Sequence, residues 1–288
     1  MRPRFAPSRS RGFTLVEILV VLVIIGILLA MAMALTRGIT SAQKRSLTAT
    51  RMAAVDAALV QFVMQQRRLP CPADGTIGNG LPNAGVEGWA AGACTTATQV
   101  NGVVPWITLG LSEVDSTDGW DRRFTYRVHP TLVAANIMDM SQCDPAGAAA
   151  ATGTGACQSP CTNATVASCT TPTNYLVGKG LVIQNVVGAT LMSQPTVLVP
   201  SNNAAAYVVI SHGETGGGAY LGSGQLATTT TTDGLEEVKN YATTAVTQPY
   251  YVDDSISDVA GASHFDDIVS RPSVLAVITK AALAPRSH

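Results

Sequence analysis

The chain has 288 residues, of which 47% are hydrophobic and only 13% charged, with a formal net charge of −1. Lys and Arg total 18 against 19 Asp and Glu, so there is no global basic field to draw in nucleic acid. Charge stands at about half the roughly 25% of an ordinary soluble domain, which excludes charge-rich disorder. Aromatic residues make up 5%, while 26 glycines and 15 prolines point to a strand-bearing body with many turns.

Residues 1–12 carry Arg2, Arg4, Arg9 and Arg11 and no acid. From Phe13 to Leu35 follows an apolar run whose only polar side chains are Thr14 and Glu17. As a helix, this run spans roughly 34 Å, enough to cross a hydrocarbon layer of about 30 Å. Basic residues on its N-terminal side predict that the N-terminus stays cytoplasmic and that the rest is exported. A secretory signal cut near Ala30–Ala34, or a plain signal anchor, would also suit the run. Neither has a use for Glu17, since a carboxylate at membrane depth costs about 2.5–3.5 kcal/mol near the centre.

No proline falls between Pro7 and Pro70, so the helix is expected to continue over residues 36–66 as an amphipathic segment. Met52, Val55, Leu59, Phe62 and Val63 recur at helical spacing, with Arg51, Asp56, Gln61 and Gln65 on other faces. A break near Gly38 is the alternative. Pro70 and Pro72 end the helix. Residues 73–102 read as loop. Strands are expected at Phe124–Val128, Tyr175–Val177, Leu181–Val186, Thr196–Val199 and Tyr207–Ser211. The run Thr228–Thr232 reads as a surface excursion.

Six cysteines, at 71, 94, 143, 157, 161 and 169, are expected to form disulfides in an exported body. Cys71 and Cys94 each sit at a loop boundary and are the favoured pair. The pairing among Cys143, Cys157, Cys161 and Cys169 stays open. Zinc is the rival reading, but Cys157, Cys161 and Cys169 lack paired C-x2-C spacing and a nearby His. No G-x-S-x-G, H-E-x-x-H or phosphate-binding glycine loop is present. Ser211-His212-Gly213-Glu214 sets candidate groups side by side, but catalysis needs spatial convergence. The chain therefore reads as a non-enzyme.

Arg11-Gly12-Phe13-Thr14-Leu15-Val16-Glu17 resembles the prepilin signature of type IV pilins and type II secretion pseudopilins. Asp118-Gly119-Trp120-Asp121 through Tyr126 is similar to a pseudopilin phrase in which a glycine usually stands at the position of Asp121. Tyr207–Gly213 and Phe265-Asp266-Asp267-Ile268 resemble later pseudopilin segments. The resemblance implies cleavage between Gly12 and Phe13 by a prepilin peptidase, N-methylation of Phe13, and pairing of Glu17 with the α-amine of a neighbouring Phe13. It implies an α+β, pilin-like fold: a long N-terminal helix packed on a small antiparallel sheet with long disulfide-bearing loops. The expected divisions are a leader (1–12), a membrane or filament-core helix (13–35), an amphipathic helix (36–66) and a periplasmic head (67–288).

The implied partners are the prepilin peptidase, other pilin or pseudopilin subunits and an inner-membrane assembly platform. The implied location is the bacterial inner membrane as a single-pass protein, and then a pilus or pseudopilus. A minor subunit, a tip-binding subunit and an anchored protein that never polymerises stay open. The resemblance also implies Ca²⁺, for which Asp253, Asp254, Asp258, Asp266 and Asp267 are the candidate ligands, with Glu214 upstream. Acids that cap turns are the alternative.

Overall fold

The computed structural model describes residues 15–141, 143, 171–196, 198–199, 203–228, 234–241, 243, 249–257, 259 and 261–285, with residues 30–39 described by their backbone. Gly12, Phe13, Cys157, Cys161, Cys169 and Asp258 lie outside the described residues. The chain divides into two compact units, Met1–Gln43 and Lys44–His288. Helix α1, Leu15–Gln66, contributes to both.

Within the second unit, α1 buries Met52, Val55, Leu59 and Val63, one helical face at i, i+3, i+4 spacing. Burying each such side chain contributes about 1.5–3 kcal/mol. This face packs with Phe124, Tyr126, Val128, Tyr207 and Val209 in the main core. The helix ends with Arg67 in the left-handed region (φ 52°), its N–H still donating to Val63 O at 2.8 Å. Pro70 and Pro72 then prevent continuation.

The central sheet has five strands: β1 (Ala73–Asp74), β4 (Gly102–Val103), β6 (Thr125–Val128), β9 (Tyr207–Ser211) and β12 (Ile268–Ser270). Their order is β1-β4-β6-β9-β12, and every pairing is antiparallel. Tyr126 pairs with Val209 and Val128 with Tyr207. Because strand side chains alternate, Tyr207 and Val209 enter the helix-side core, while Val208 and Ile210 enter a second core with Ile183, Ala205 and Tyr251. β9 is thus buried on both faces. A smaller three-stranded sheet runs β11 (Tyr251–Val252), β7 (Ile183–Gln184) and β8 (Thr190–Met192).

Several expectations change here. Tyr175 closes a short helix, Pro172–Tyr175, rather than opening a strand. Thr171 accepts from Asn174 N and Pro172 sits in the first turn, a helix-start signal that outweighs the β propensity of Tyr and Val. Thr196 and Val199 bound a turn, in which Val199 N donates to Thr196 Oγ1 at 3.0 Å; the strand nearby is β8. Residues 73–102 contain β1, β2 (Trp89–Ala90), β3 (Ala93–Cys94), a helix Thr96–Val100 and the start of β4. A C-terminal helix, Val274–Lys280, capped by Ser273 Oγ, buries Val274, Val277 and Ile278.

Gln61 and Gln65 of α1 are exposed, but Thr48, Arg51 and Asp56 engage the head. Asp56 accepts from Tyr207 Oη at 3.0 Å and from Ser270 Oγ at 2.6 Å, so it ties the helix to β9 and β12. Burial raises its carboxyl above the ordinary value, against the opposing effect of these two hydrogen bonds. Arg51 donates to Asp118 O at 2.8 Å.

The turn at Asp118–Asp121 approaches α1 closely. Thr48 Oγ1 accepts from Gly119 N at 2.9 Å, and a Cβ on Gly119 would lie 2.4 Å from Lys44 O. Asp121 adopts φ 64°, so the left-handed turn is present without a glycine. Asp tolerates this region better than most residues.

Candidate functional site

Two regions carry functional chemistry: the N-terminal apolar helix and a buried polar cluster in the head. Over Leu15–Leu29 the apolar side chains of α1 are exposed, with Leu22 62% accessible. Glu17 lies in the first turn of α1, inside this stretch. Among the described residues, Leu15–Leu29 is a shorter apolar stretch, and Thr40–Gln66 is the one that meets the length and hydropathy of a membrane span. Its apolar residues Met52, Val55, Leu59 and Val63 are buried in the head, so packing accounts for them. An exposed band of Leu, Val and Ile without charge beyond Glu17 requires another apolar medium, lipid or protein.

Residues 7–33 match the prokaryotic N-terminal methylation motif, the prepilin-type leader of type IV pilins and pseudopilins. The chain carries a prepilin-type leader. No curated protein and no solved structure matches it significantly. The long N-terminal helix, the antiparallel sheet and the Cys71–Cys94 disulfide compose an α+β, pilin-like fold. Together with the motif, this supports a type IV pilin- or pseudopilin-like precursor, and the leader motif implies processing by a prepilin peptidase. The motif points to a structural subunit and to membrane anchoring.

In the head, Cys71 and Cys94 are bonded to each other, 5.3 Å apart between Cα atoms. Cys143 is also in a disulfide. Beside the first bridge, Arg68 binds Glu87 through two hydrogen bonds of 2.9 and 2.7 Å, and Cys71 N donates to Glu87 Oε2 at 3.0 Å. The fork of Arg68 matches a carboxylate bidentately, which fixes the loop after α1. Arg123, fully buried, donates to the carbonyls of Gly75, Ile77 and Gly222 and lies over the Trp106 ring at 4.8 Å.

The expected calcium ligands are dispersed. Asp253 pairs with Arg271. Asp254 accepts from Ser255 N and Val186 N, and these bonds hold its carboxyl below the ordinary value. Asp266 and Asp267 are both buried but join different partners. Asp267 accepts from Asn240 Nδ2 at 2.7 Å, and its Oδ1 lies 3.6 Å from His212 Nδ1; burial raises its carboxyl. Asp266 accepts from Thr215 N at 2.8 Å and from Thr215 Oγ1 at 3.0 Å. Burial, together with neighbouring Glu237, pushes Asp266 up to about 6. Glu214 is exposed, and its carbonyl accepts from Arg122. Among the described residues, Asp253, Asp254, Asp266 and Asp267 thus engage separate partners.

Glu237 is a buried member of the polar cluster that the sequence did not single out. Its Oε2 lies 2.9 Å from His264 Nδ1 and accepts from Gly234 N at 3.0 Å, while Oε1 accepts from Asp266 N at 3.0 Å. Nothing local signals a partnership across 27 residues of sequence.

Ser211 and His212 do not form a catalytic pair. Ser211 Oγ donates to Asp118 Oδ2 at 2.9 Å, whereas His212 Nε2 meets Thr125 Oγ1 at 2.8 Å. Adjacent residues of an extended chain point to opposite faces, so the two groups serve separate structural bonds.

Proposed function

We propose that this chain is a pilin-like structural subunit that polymerises through its N-terminal helix, as a minor component of a type IV pilus or type II secretion pseudopilus. The observation that carries this reading is the methylation motif over residues 7–33 running into an exposed apolar band at Leu15–Leu29. On this reading, prepilin peptidase cuts between Gly12 and Phe13 and methylates Phe13. Residues 13–35 remain in the inner membrane, residues 36–66 continue the helix, and the head from residue 67 onward is periplasmic. Loss of the leader with its four arginines shifts the formal charge from −1 to −5.

Assembly then moves the helix from lipid into a bundle of like helices. Glu17 neutralises the α-amine of Phe13 on a neighbouring subunit. The pair is tolerable in an apolar core where either charge alone is strongly penalised. Because the two groups must meet, they set the axial register of adjoining subunits. The assembly platform in the inner membrane drives the extraction. A head of 222 residues after Gln66 supports a specialised minor position over a repeating one.

Intact mass of the mature N-terminus tests this reading. N-methyl-Phe13 is the expected terminus; a start near Met33 or Leu35 means signal peptidase cleavage and overturns it.

A further inference from the structure

The head contains a convergence of ligand-bearing side chains that filament assembly does not use. Glu237, His264 and Asp266 each offer one ligand atom, all within 4.8 Å of one another. Glu237 and Asp266 are 2% and 3% exposed, and His264 is the least buried of the three at 9%. Two buried carboxylates in one site repel unless a proton or a cation stands between them.

We propose that Glu237, His264 and Asp266 bind one divalent first-row transition ion, with zinc the best match. One borderline imidazole nitrogen and two carboxylate oxygens make a mixed donor set of the kind zinc takes with three protein ligands. Calcium prefers an all-oxygen shell of six to eight donors, which the imidazole interrupts. The site is therefore distinct in chemistry from the calcium that the pseudopilin resemblance implies.

The surroundings already orient the ligands. Gly234 N and Asp266 N fix the two oxygens of Glu237. Thr215 N and Oγ1 each hold one oxygen of Asp266, leaving lone pairs for an ion. Two glycines permit the close approach of these segments. A Cβ on Gly234 would lie 2.0 Å from His264 O, and one on Gly213, at φ 53°, would lie 2.3 Å from Asp266 O. On binding, His264 Nδ1 exchanges its contact with Glu237 for the ion. One ion would join the turn at Gly213–Thr215, the 3-10 helix Glu237–Asn240 and the segment leading into β12.

The test uses the full processed protein in detergent, stripped with chelator and titrated at pH 7.5 with Zn²⁺ alone, and with Ca²⁺ in parallel. One zinc per chain is expected after desalting, with Tm raised by about 5 °C at a hundredfold excess over Kd and no comparable shift in Ca²⁺. His264→Gln and Asp266→Asn should each weaken zinc binding by at least about tenfold. Absence of bound zinc, an equal calcium shift, or undiminished affinity in both variants overturns the proposal. If either variant fails to fold, Co²⁺ bound to the unaltered protein decides. A visible band from nitrogen and oxygen ligation supports the site, and the spectrum of hydrated cobalt overturns it. Neither result depends on whether the chain polymerises.

Discussion

The two stretches of α1 are similar in helical form and opposite in how their apolar side chains are satisfied. Between Met52 and Val63 the chain supplies its own cover, and Leu59 is 0% exposed beneath the sheet. Between Leu15 and Leu29 the apolar side chains are exposed throughout. Asp56 is held by Tyr207 and Ser270 of its own head, and Glu17 lies within the exposed apolar band. Length and hydropathy over the described residues favour Thr40–Gln66 as a membrane candidate, yet burial shows that its apolar face is covered by the head while Leu15–Leu29 is exposed.

The largest effect that could break this contrast is at Glu17. Glu17→Ala should leave processing intact and reduce incorporation into fibres at least about tenfold, because the α-amine of Phe13 loses its counter-charge. Immunoblots of sheared fibres against whole cells measure this, and normal incorporation would remove the pairing.

Next comes a matched truncation. Leu59→Ala should destabilise the head by about 2–5 kcal/mol through a cavity in the main core. Leu22→Ala should change head stability by less than about 0.5 kcal/mol. Urea unfolding followed by Trp fluorescence compares them; equal losses would mean that Leu22 is also a head-core residue.

Asp56 gives a smaller, pH-dependent effect. Its folded carboxyl is raised above the ordinary 3.8, so the folded state binds the proton more tightly. That contribution is fully present below pH 3.8 and is lost as pH rises through the raised folded value. Asp56→Asn should therefore flatten the fall in unfolding free energy across this window, and an unchanged slope would assign the pH dependence to other buried acids.

The smallest effect is at the turn against α1. Asp121→Gly should raise stability by about 0.5–1 kcal/mol by relieving a non-glycine residue at positive φ, and Asp121→Val should lower it. Thermal melts of the pair check the sign.

Much of this arrangement was legible in the sequence, for identifiable reasons. The leader and Glu17 stand out because a charge in an apolar run is conspicuous. β9 was read at its true limits, Tyr207–Ser211, since an apolar β-branched run buried on both faces needs no alternation. The same reasoning failed at Tyr175, where Thr171 and Pro172 carried the stronger local signal for a helix start. Two-residue strands such as β1 and β4 are fixed by tertiary pairing and leave no periodic trace. Asp56 could be placed only off the apolar stripe, because helical periodicity reports spacing, not which polar groups a sheet will engage. The convergence of Glu237 with His264 and Asp266 is wholly tertiary.

The fastening of α1 to the head has a mechanical consequence. Thr48 meets Gly119, Arg51 meets Asp118, and Asp56 meets Tyr207 and Ser270, so the attachments are distributed along the helix axis. A pull along the axis of residues 44–66 loads these bonds in shear, several together, instead of peeling them one after another. Tension carried along the helix would thus be shared between the turn before β6 and the strands β9 and β12, and the head would resist detachment as a block.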